Sequence, residues 1–191
     1  MIKDKILLAK EQVNLKLKEH PKRLAHVYGV AETAVKLASI YHLDVDKMMI
    51  VGLYHDYAKY ETMNQQSLTA KEYQIVLSYP VMFHAFYGAY MMEKNLDIHD
   101  QEMIEAIKCH VWGKPKMTPF EQILFISDYC EPNRDFIDTK EIFEMATKDL
   151  DQTTKHCMAI SINDLLNRDL VPSPLQIEAY QYYLEETNGK N

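Results

Sequence analysis

Half of the eight histidines in this chain of 191 residues lie inside or at the end of an apolar helical pattern. These four are His26, His55, His84 and His110. We expect them to be buried, and a buried imidazole needs a hydrogen-bond partner or a metal ion. The other four lie in polar segments or near helix ends, where we expect a surface position: His20, His42, His99 and His156.

Two aspartates extend this histidine set. Asp56 directly follows His55, and Asp128 lies in a later apolar segment. Imidazole nitrogens suit first-row transition metals, and carboxylates neutralise part of the metal charge. A histidine taken alone is more often a hydrogen-bonded core residue than a ligand. The six residues come from five segments. They could converge only in the interior of a helical bundle, where side chains on facing helices commonly build metal sites.

Four basic residues lie close to these candidate ligands in sequence and suit a negatively charged substrate. They are Lys59, Arg23, Arg134 and Lys114. Lys59 follows His55 by one helical turn, so it points at whatever the metal binds. Lys59 is therefore an expected catalytic residue, and all four cations are candidate substrate contacts. Arg23 and Arg134 have the alternative role of structural ion pairs, and Lys114 that of a solvated lysine.

The elements that must position these residues are helices. Only five glycines and seven prolines occur, too few for a turn-dense β fold, so the expected class is all-α. Apolar periodicity and capping residues predict helices over 2–18, 21–41, 45–54, from about 69, 80–94, 101–111, 119–129, 138–168 and 174–187. Neighbouring helical residues point about 100° apart, so His55 and Asp56 serve one ion only at a helix end. Residues 60–68 form a predicted loop over the site.

Length and composition exclude several classes of protein. We expect a single domain over residues 1–191, with a ligand-bearing core at about 20–135 and C-terminal helices at about 138–187. The chain is 47% hydrophobic and 26% charged, as in an ordinary globular protein. Its net charge of −7, without a basic block, argues against nucleic acid as a partner.

Cysteines and hydropathy bear on the compartment. Three widely spaced cysteines form neither a disulfide framework nor a paired-thiolate zinc site, and we expect reduced, buried thiols. The longest apolar run, 48–54, is too short to cross a bilayer, and the N-terminus carries charges where a signal peptide is apolar. These observations predict a cytoplasmic protein without a membrane partner.

The order of the six candidate ligands, with the doublet in LYHDYAK (53–59), resembles the HD-domain metal-dependent phosphohydrolases. The flanking segments PKRLAHVYGV (21–30) and SDYCEPNRDF (127–136) are similar to those of the bacterial YqeK family, the symmetrical diadenosine tetraphosphatases. The resemblance covers about residues 20–185. It implies an HD-domain helical bundle with a metal site in its interior.

The resemblance also implies two metal ions that share one carboxylate. The first ion would be held by His26, His55, Asp56 and Asp128, and the second by His84 and His110. Asp56 would bridge the two ions, which makes it an expected catalytic residue beside Lys59. Iron is the metal that the resemblance suggests, while manganese, cobalt and zinc suit the same ligands. A water between two cations loses its proton near neutral pH, which supplies a bridging hydroxide for hydrolysis of diadenosine tetraphosphate to two ADP. A homodimer is implied as well.

The chain departs from the family pattern beside two ligands. It has Ala85 after the third histidine, where a glycine is usual, and Val111 and Trp112 after the fourth, where the family has two threonines. These changes leave the ligands in place and affect the shape of the substrate pocket, because Trp112 is large enough to stack on a base. Nucleotide preference is therefore open.

Three other functions fit the same residues. Two are enzymes, a nucleoside monophosphate phosphatase and a guanosine tetraphosphate hydrolase, and their products distinguish them. The third is a regulatory HD domain that binds a nucleotide without catalysis, which loss of the His-Asp doublet would favour. A metal-free histidine core would leave imidazoles without partners, at about 1–3 kcal/mol each.

Overall fold

The computed structural model describes residues 1–63, 65–135 and 138–189, and within these ranges the chain forms ten α-helices and no strand. The helices are α1 Ile2–Lys16, α2 Pro21–Ile40, α3 Val45–Tyr54, α4 Ala70–Ser78, α5 Phe83–Leu96, α6 Gln101–Cys109, α7 Pro119–Cys130, α8 Thr139–Ala146, α9 Leu150–Asn167 and α10 Pro174–Asn188. Short 3₁₀ turns occupy Gln65–Ser67 and Pro80–Met82. The all-α prediction is confirmed.

Parts of two predictions lie outside the described residues. Asn64 belongs to the predicted loop 60–68, and Phe136 to the segment 127–136 that carries the family resemblance. Within the described ranges, no helix combines the length and the apolar character that a bilayer span requires.

Most of the predicted helices begin directly after the capping residues that predicted them. The side chains of Asp44, Asp100 and Thr118 accept hydrogen bonds from backbone amides of the first turns of α3, α6 and α7. The prediction of one helix over 138–168 is wrong, because the chain forms α8 and α9 there. Asp149 caps α9 by accepting from the amide of Gln152, which starts a new helix after a short break.

A glycine in α3 sets the distance between α2 and α3. A Cβ atom at Gly52 would lie 2.5 Å from the Cα atom of Ala31, so only glycine permits this approach. The two helices pack along their length through apolar faces that include Val30 and Val51. This close packing brings the first turns of α2 beside the end of α3, where the candidate ligands lie.

The other ligand-bearing helices close around the end of α3. A Cβ atom at Gly88 of α5 would lie 3.0 Å from the carbonyl oxygen of Tyr54, the last residue of α3. Helix α6 packs against α3, α5 and α7, and α7 also packs against α2 and α3. Helices α8, α9 and α10 support α7 from the other side, directly or through α9. Five helices therefore surround one point in the interior.

Candidate metal centre

The His-Asp doublet lies where α3 ends. His55 is the residue that follows the last helical position, and Asp56 belongs to the turn after it. Both side chains are buried. The turn lets the two side chains meet, with Nε2 of His55 3.7 Å from Oδ2 of Asp56. The expectation that the doublet stands at a helix end is confirmed.

The two carboxylate oxygens of Asp56 face two different pairs of histidines. Oδ2 lies 3.7 Å from Nε2 of both His26 and His55. Oδ1 lies 3.1 Å from Nε2 of His84 and 3.8 Å from Nε2 of His110. In each of these two groups, the ligand atoms all lie within 4.8 Å of one another, as one metal ion requires. Asp56 is the member that the groups share.

Asp128 extends the first group. Its Oδ1 lies 3.1 Å from Nε2 of His26. All six residues predicted as ligands therefore meet in one place. The guanidinium groups of two arginines reach the two carboxylates, since Arg134 donates to the carboxylate and backbone oxygens of Asp128, and Arg23 donates to Oδ2 of Asp56 at 2.5 Å.

Backbone carbonyls orient two of the histidines. Nδ1 of His55 lies 2.7 Å from the carbonyl oxygen of Gly52, and Nδ1 of His110 lies 2.7 Å from that of Ile107. A carbonyl oxygen only accepts hydrogen bonds, so Nδ1 carries the proton in both rings. Each Nε2 then presents a lone pair towards Asp56, which is the arrangement of a metal-ligating histidine.

The carboxylate of Glu131 orients the ring of His26 in the same way. The sequence pattern did not identify Glu131 as part of the site. Its Oε1 lies 3.1 Å from Nδ1 of His26, and the carboxylate is buried. The backbone amide and the side-chain amide of Asn133 both donate to Oε2 at 2.8 Å. A side chain at Gly29 would collide with this carboxylate. The available signal is an acid three residues after Asp128, at the end of an apolar helix.

The electrostatics of the centre favour neutral imidazoles and ionised carboxylates. Burial lowers the pKa of His55 to about 3 and also lowers the pKa of His84. Burial opposes ionisation of the Asp56 carboxyl, but the nearby imidazoles and the Lys59 ammonium outweigh it, so the pKa of Asp56 lies well below its usual value. These are the protonation states in which both residue types bind metal.

The donor set fits a transition metal. Four imidazole nitrogens and two carboxylates are borderline ligands of the kind that such ions prefer. Nε2 of His26 lies 3.4 Å from Nε2 of His55, and Nε2 of His84 lies 3.3 Å from Nε2 of His110, which places nitrogen atoms against each other. Oδ1 of Asp56 is buried and accepts no hydrogen bond of regular geometry from the residues described. Cations bound by these residues would supply the missing partners of all these atoms.

The predicted substrate contacts lie in two different places. Nζ of Lys59 lies 3.3 Å from Oδ1 of Asp56 and 3.2 Å from Nε2 of His84, at the centre itself. Lys114 instead lies 2.7 Å from Oε1 of Glu121 and lines a cavity of about 390 Å³ together with Trp112. Among the described residues, that lining includes none of the six candidate ligands.

Replacing Glu131 with glutamine is expected to weaken metal binding by about 10- to 100-fold. The change removes the carboxylate that orients His26, and loss of such a partner typically has an effect of this size. Competition between the apo-protein and a chelating dye measures the affinity. Glu144→Gln, at an exposed position on α8, is the matched control. Equal affinities for the two variants would contradict the orienting role.

Comparisons with known proteins show the family to which the chain is related. The HD domain family matches residues 23–133, a range that contains all six candidate ligands. A relative from Halalkalibacterium halodurans, named symmetrical bis(5'-nucleosyl)-tetraphosphatase, is 33% identical over 174 residues, which cover 89% of this chain and 92% of the relative. Relatives of the same name are 34% identical in Staphylococcus aureus, covering 92% of each chain, and 36% identical in Bacillus subtilis, covering 73% of this chain and 76% of that one.

A solved structure is similar in fold. It is described as a predicted HD superfamily hydrolase involved in NAD metabolism from Clostridium acetobutylicum. The TM-score is 0.81 at 28% sequence identity, and the match covers 93% of this chain and 96% of the other. HD domains are metal-dependent, in keeping with the two histidine and aspartate groups described above. The chain belongs to the HD domain family and, within it, to the symmetrical bis(5'-nucleosyl)-tetraphosphatases.

Proposed function

We propose that the protein hydrolyses diadenosine tetraphosphate symmetrically to two ADP at a centre of two transition-metal ions. The observation that carries the metal chemistry is the division of the Asp56 oxygens between two pairs of histidines. The substrate follows from the relatives, which share the named activity over most of the chain. Dinucleoside polyphosphate is therefore the partner of this site.

The six ligands divide between the two ions as their contacts do. His26, His55, Asp56 and Asp128 would hold the first ion, and Asp56, His84 and His110 the second. Iron is our proposal for the metal, and the same donors accept manganese, cobalt or zinc. When bound, two such ions lower the pKa of a water molecule and neutralise charge on the phosphoryl oxygens.

Lys59 and Arg23 would add two positive charges to those of the metal ions around the reacting phosphates. Nζ of Lys59 and the guanidinium of Arg23 approach opposite oxygens of Asp56, so both groups stand at the rim of the centre. We assign them to the phosphoryl oxygens and to the diphosphate that leaves. Each is about three-quarters buried, which strengthens its interaction with an anion relative to a solvated lysine or arginine.

Three further assignments accompany the proposal. Arg134, which holds Asp128, lines the same side of the centre and is a candidate for an outer phosphate. Lys114 remains a predicted phosphate contact. The three cysteines are buried free thiols, which favours a reducing compartment, and we place the enzyme in the cytoplasm. The homodimer that the resemblance implies stays a prediction.

The identity of the products tests the function. The metal-loaded protein, incubated with diadenosine tetraphosphate and Fe²⁺, Mn²⁺ or Co²⁺, is expected to yield ADP as the sole nucleotide product. Hydrolysis beside the central oxygen gives this result, because both halves of the substrate are then ADP. Ion-exchange chromatography separates the candidate products.

Each alternative gives a different chromatogram. Equal amounts of ATP and AMP would refute the symmetrical reaction and leave the metal site intact. Release of phosphate from nucleoside monophosphates, with the dinucleotide unchanged, would favour a phosphatase. Hydrolysis of guanosine tetraphosphate in place of the dinucleotide would favour a guanosine tetraphosphate hydrolase, and binding without turnover would favour a regulatory domain.

A further inference from the structure

We propose that Tyr60, supported by His20, is the stacking platform for one purine base of the substrate. The proposal rests on the proposed function, because it names how a nucleoside half is held beside the metal centre. Tyr60 directly follows Lys59 in the turn after α3, and His20 directly precedes α2. Their rings stack nearly in parallel, with centroids 3.6 Å apart and an interplanar angle of 19°.

Tyr60 lines a cavity that opens onto the metal centre. The cavity has a volume of about 250 Å³, and its wall includes His26, a candidate ligand of the first ion. Three cationic side chains line it as well: Lys22, Arg23 and Arg134. A polyphosphate chain that leaves the centre in this direction meets these cations, and the nucleoside at its end comes to the rim, where Tyr60 stands.

Tyr60 is fixed in position although it is exposed. One face of its ring is covered by His20, and its hydroxyl group interacts electrostatically with the guanidinium of Arg23. The residue is nevertheless 53% exposed, so its exposed surface lies on the ring face away from His20 and on the edges. A rigid aromatic ring with one open face binds a base at low entropic cost.

Trp112, the aromatic residue that the sequence suggested for base stacking, is in a different environment. It is 7% exposed, and its ring packs edge-on against Tyr79 with centroids 5.1 Å apart. It also belongs to the wall of the separate cavity that contains Lys114. Tyr60 lines the cavity at His26 and is exposed, whereas Trp112 is buried and does not line that cavity. These two differences favour Tyr60 as the residue that stacks on the base.

The test compares a ligand that has a base with one that lacks it. For the metal-loaded protein, Tyr60→Ala is expected to raise the KM for diadenosine tetraphosphate and the inhibition constant of ADP by about 5- to 100-fold, the usual effect of losing one base stack. The inhibition constant of inorganic pyrophosphate should change less than about two-fold, since it has no base. Tyr60→Phe keeps the ring and should bind ADP within about three-fold of the parent chain.

A control variant and the pyrophosphate constant distinguish base stacking from an effect that Tyr60 exerts through Arg23. Tyr90→Ala, on α5, removes another tyrosine ring and should change none of these constants. If Tyr60→Ala weakens the binding of ADP and of pyrophosphate by the same factor, Tyr60 acts through Arg23. The stacking platform is then refuted. Unchanged ADP inhibition refutes it too. If the parent chain does not hydrolyse the dinucleotide, the proposed function fails, while calorimetric binding of ADP and of pyrophosphate to the parent chain and to Tyr60→Ala still decides the stacking site.

Discussion

Replacing Asp56 with asparagine is expected to lower the turnover of diadenosine tetraphosphate by about a thousand-fold or more and to reduce the metal content of the protein. The two carboxylate oxygens of Asp56 face separate pairs of histidines. An amide keeps one acceptor oxygen and replaces the other with an NH₂ group, which repels a cation. It also removes the negative charge that offsets the repulsion between two ions.

Turnover and elemental analysis on the same preparation measure this effect. Asp97→Asn changes an aspartate whose side chain is 90% exposed, so it should leave both quantities unchanged. Lys59→Ala removes the neighbouring ammonium without removing a ligand, and it should keep its metal while losing about 10- to 1,000-fold in turnover. Near-normal turnover of Asp56→Asn with full metal content would show that this carboxylate does not join the two groups.

The cluster of six candidate ligands could be predicted from the sequence because its members stand at recognisable places. His26 lies near the start of a helix whose first residue is a proline, and the His55-Asp56 pair stands where an apolar pattern ends. Capping residues such as Asp100 and Thr118 mark the starts of α6 and α7, and the apolar pattern that follows each cap indicates which residues face inward. Local chemistry of this kind is visible without a structure.

The errors and omissions have tertiary causes. The break between α8 and α9 contains neither glycine nor proline, so periodicity alone does not reveal it. Glu131 reaches His26 across 105 positions of sequence, and it does so because Gly29 leaves room for its carboxylate beside α2. Nothing in the local pattern around Glu131 specifies that partner.

The arginines show a different limit. The spacing of Arg23 and Arg134 indicates proximity to ligands, and each guanidinium does contact a ligand carboxylate. Spacing does not distinguish a residue that supports a ligand from one that binds substrate, because both stand in the same place. Arg23 contacts Asp56 and also interacts electrostatically with Tyr60 at the rim of the centre, so one side chain can serve both roles.

Replacing His84 or His110 with alanine is expected to lower the metal content from two ions per chain to about one. Both histidines face Oδ1 of Asp56, and the group around Oδ2 keeps its own ligands. Turnover should fall with the second ion, because charge stabilisation of the phosphoryl group then rests on one cation. Elemental analysis of protein reconstituted with excess Mn²⁺ or Fe²⁺ measures the stoichiometry.

Circular dichroism distinguishes a lost ligand from a damaged core. His84 lies at the start of α5, and His110 directly follows α6. Most packing among α2, α3 and α7 is therefore independent of the two rings, and the helical signal should persist. His99→Ala, whose side chain is 70% exposed, is the matched control and should keep both ions. Global unfolding of the His84 and His110 variants would mean that these imidazoles are core residues. Retention of two ions by both variants would require a ligand for the second ion other than either histidine.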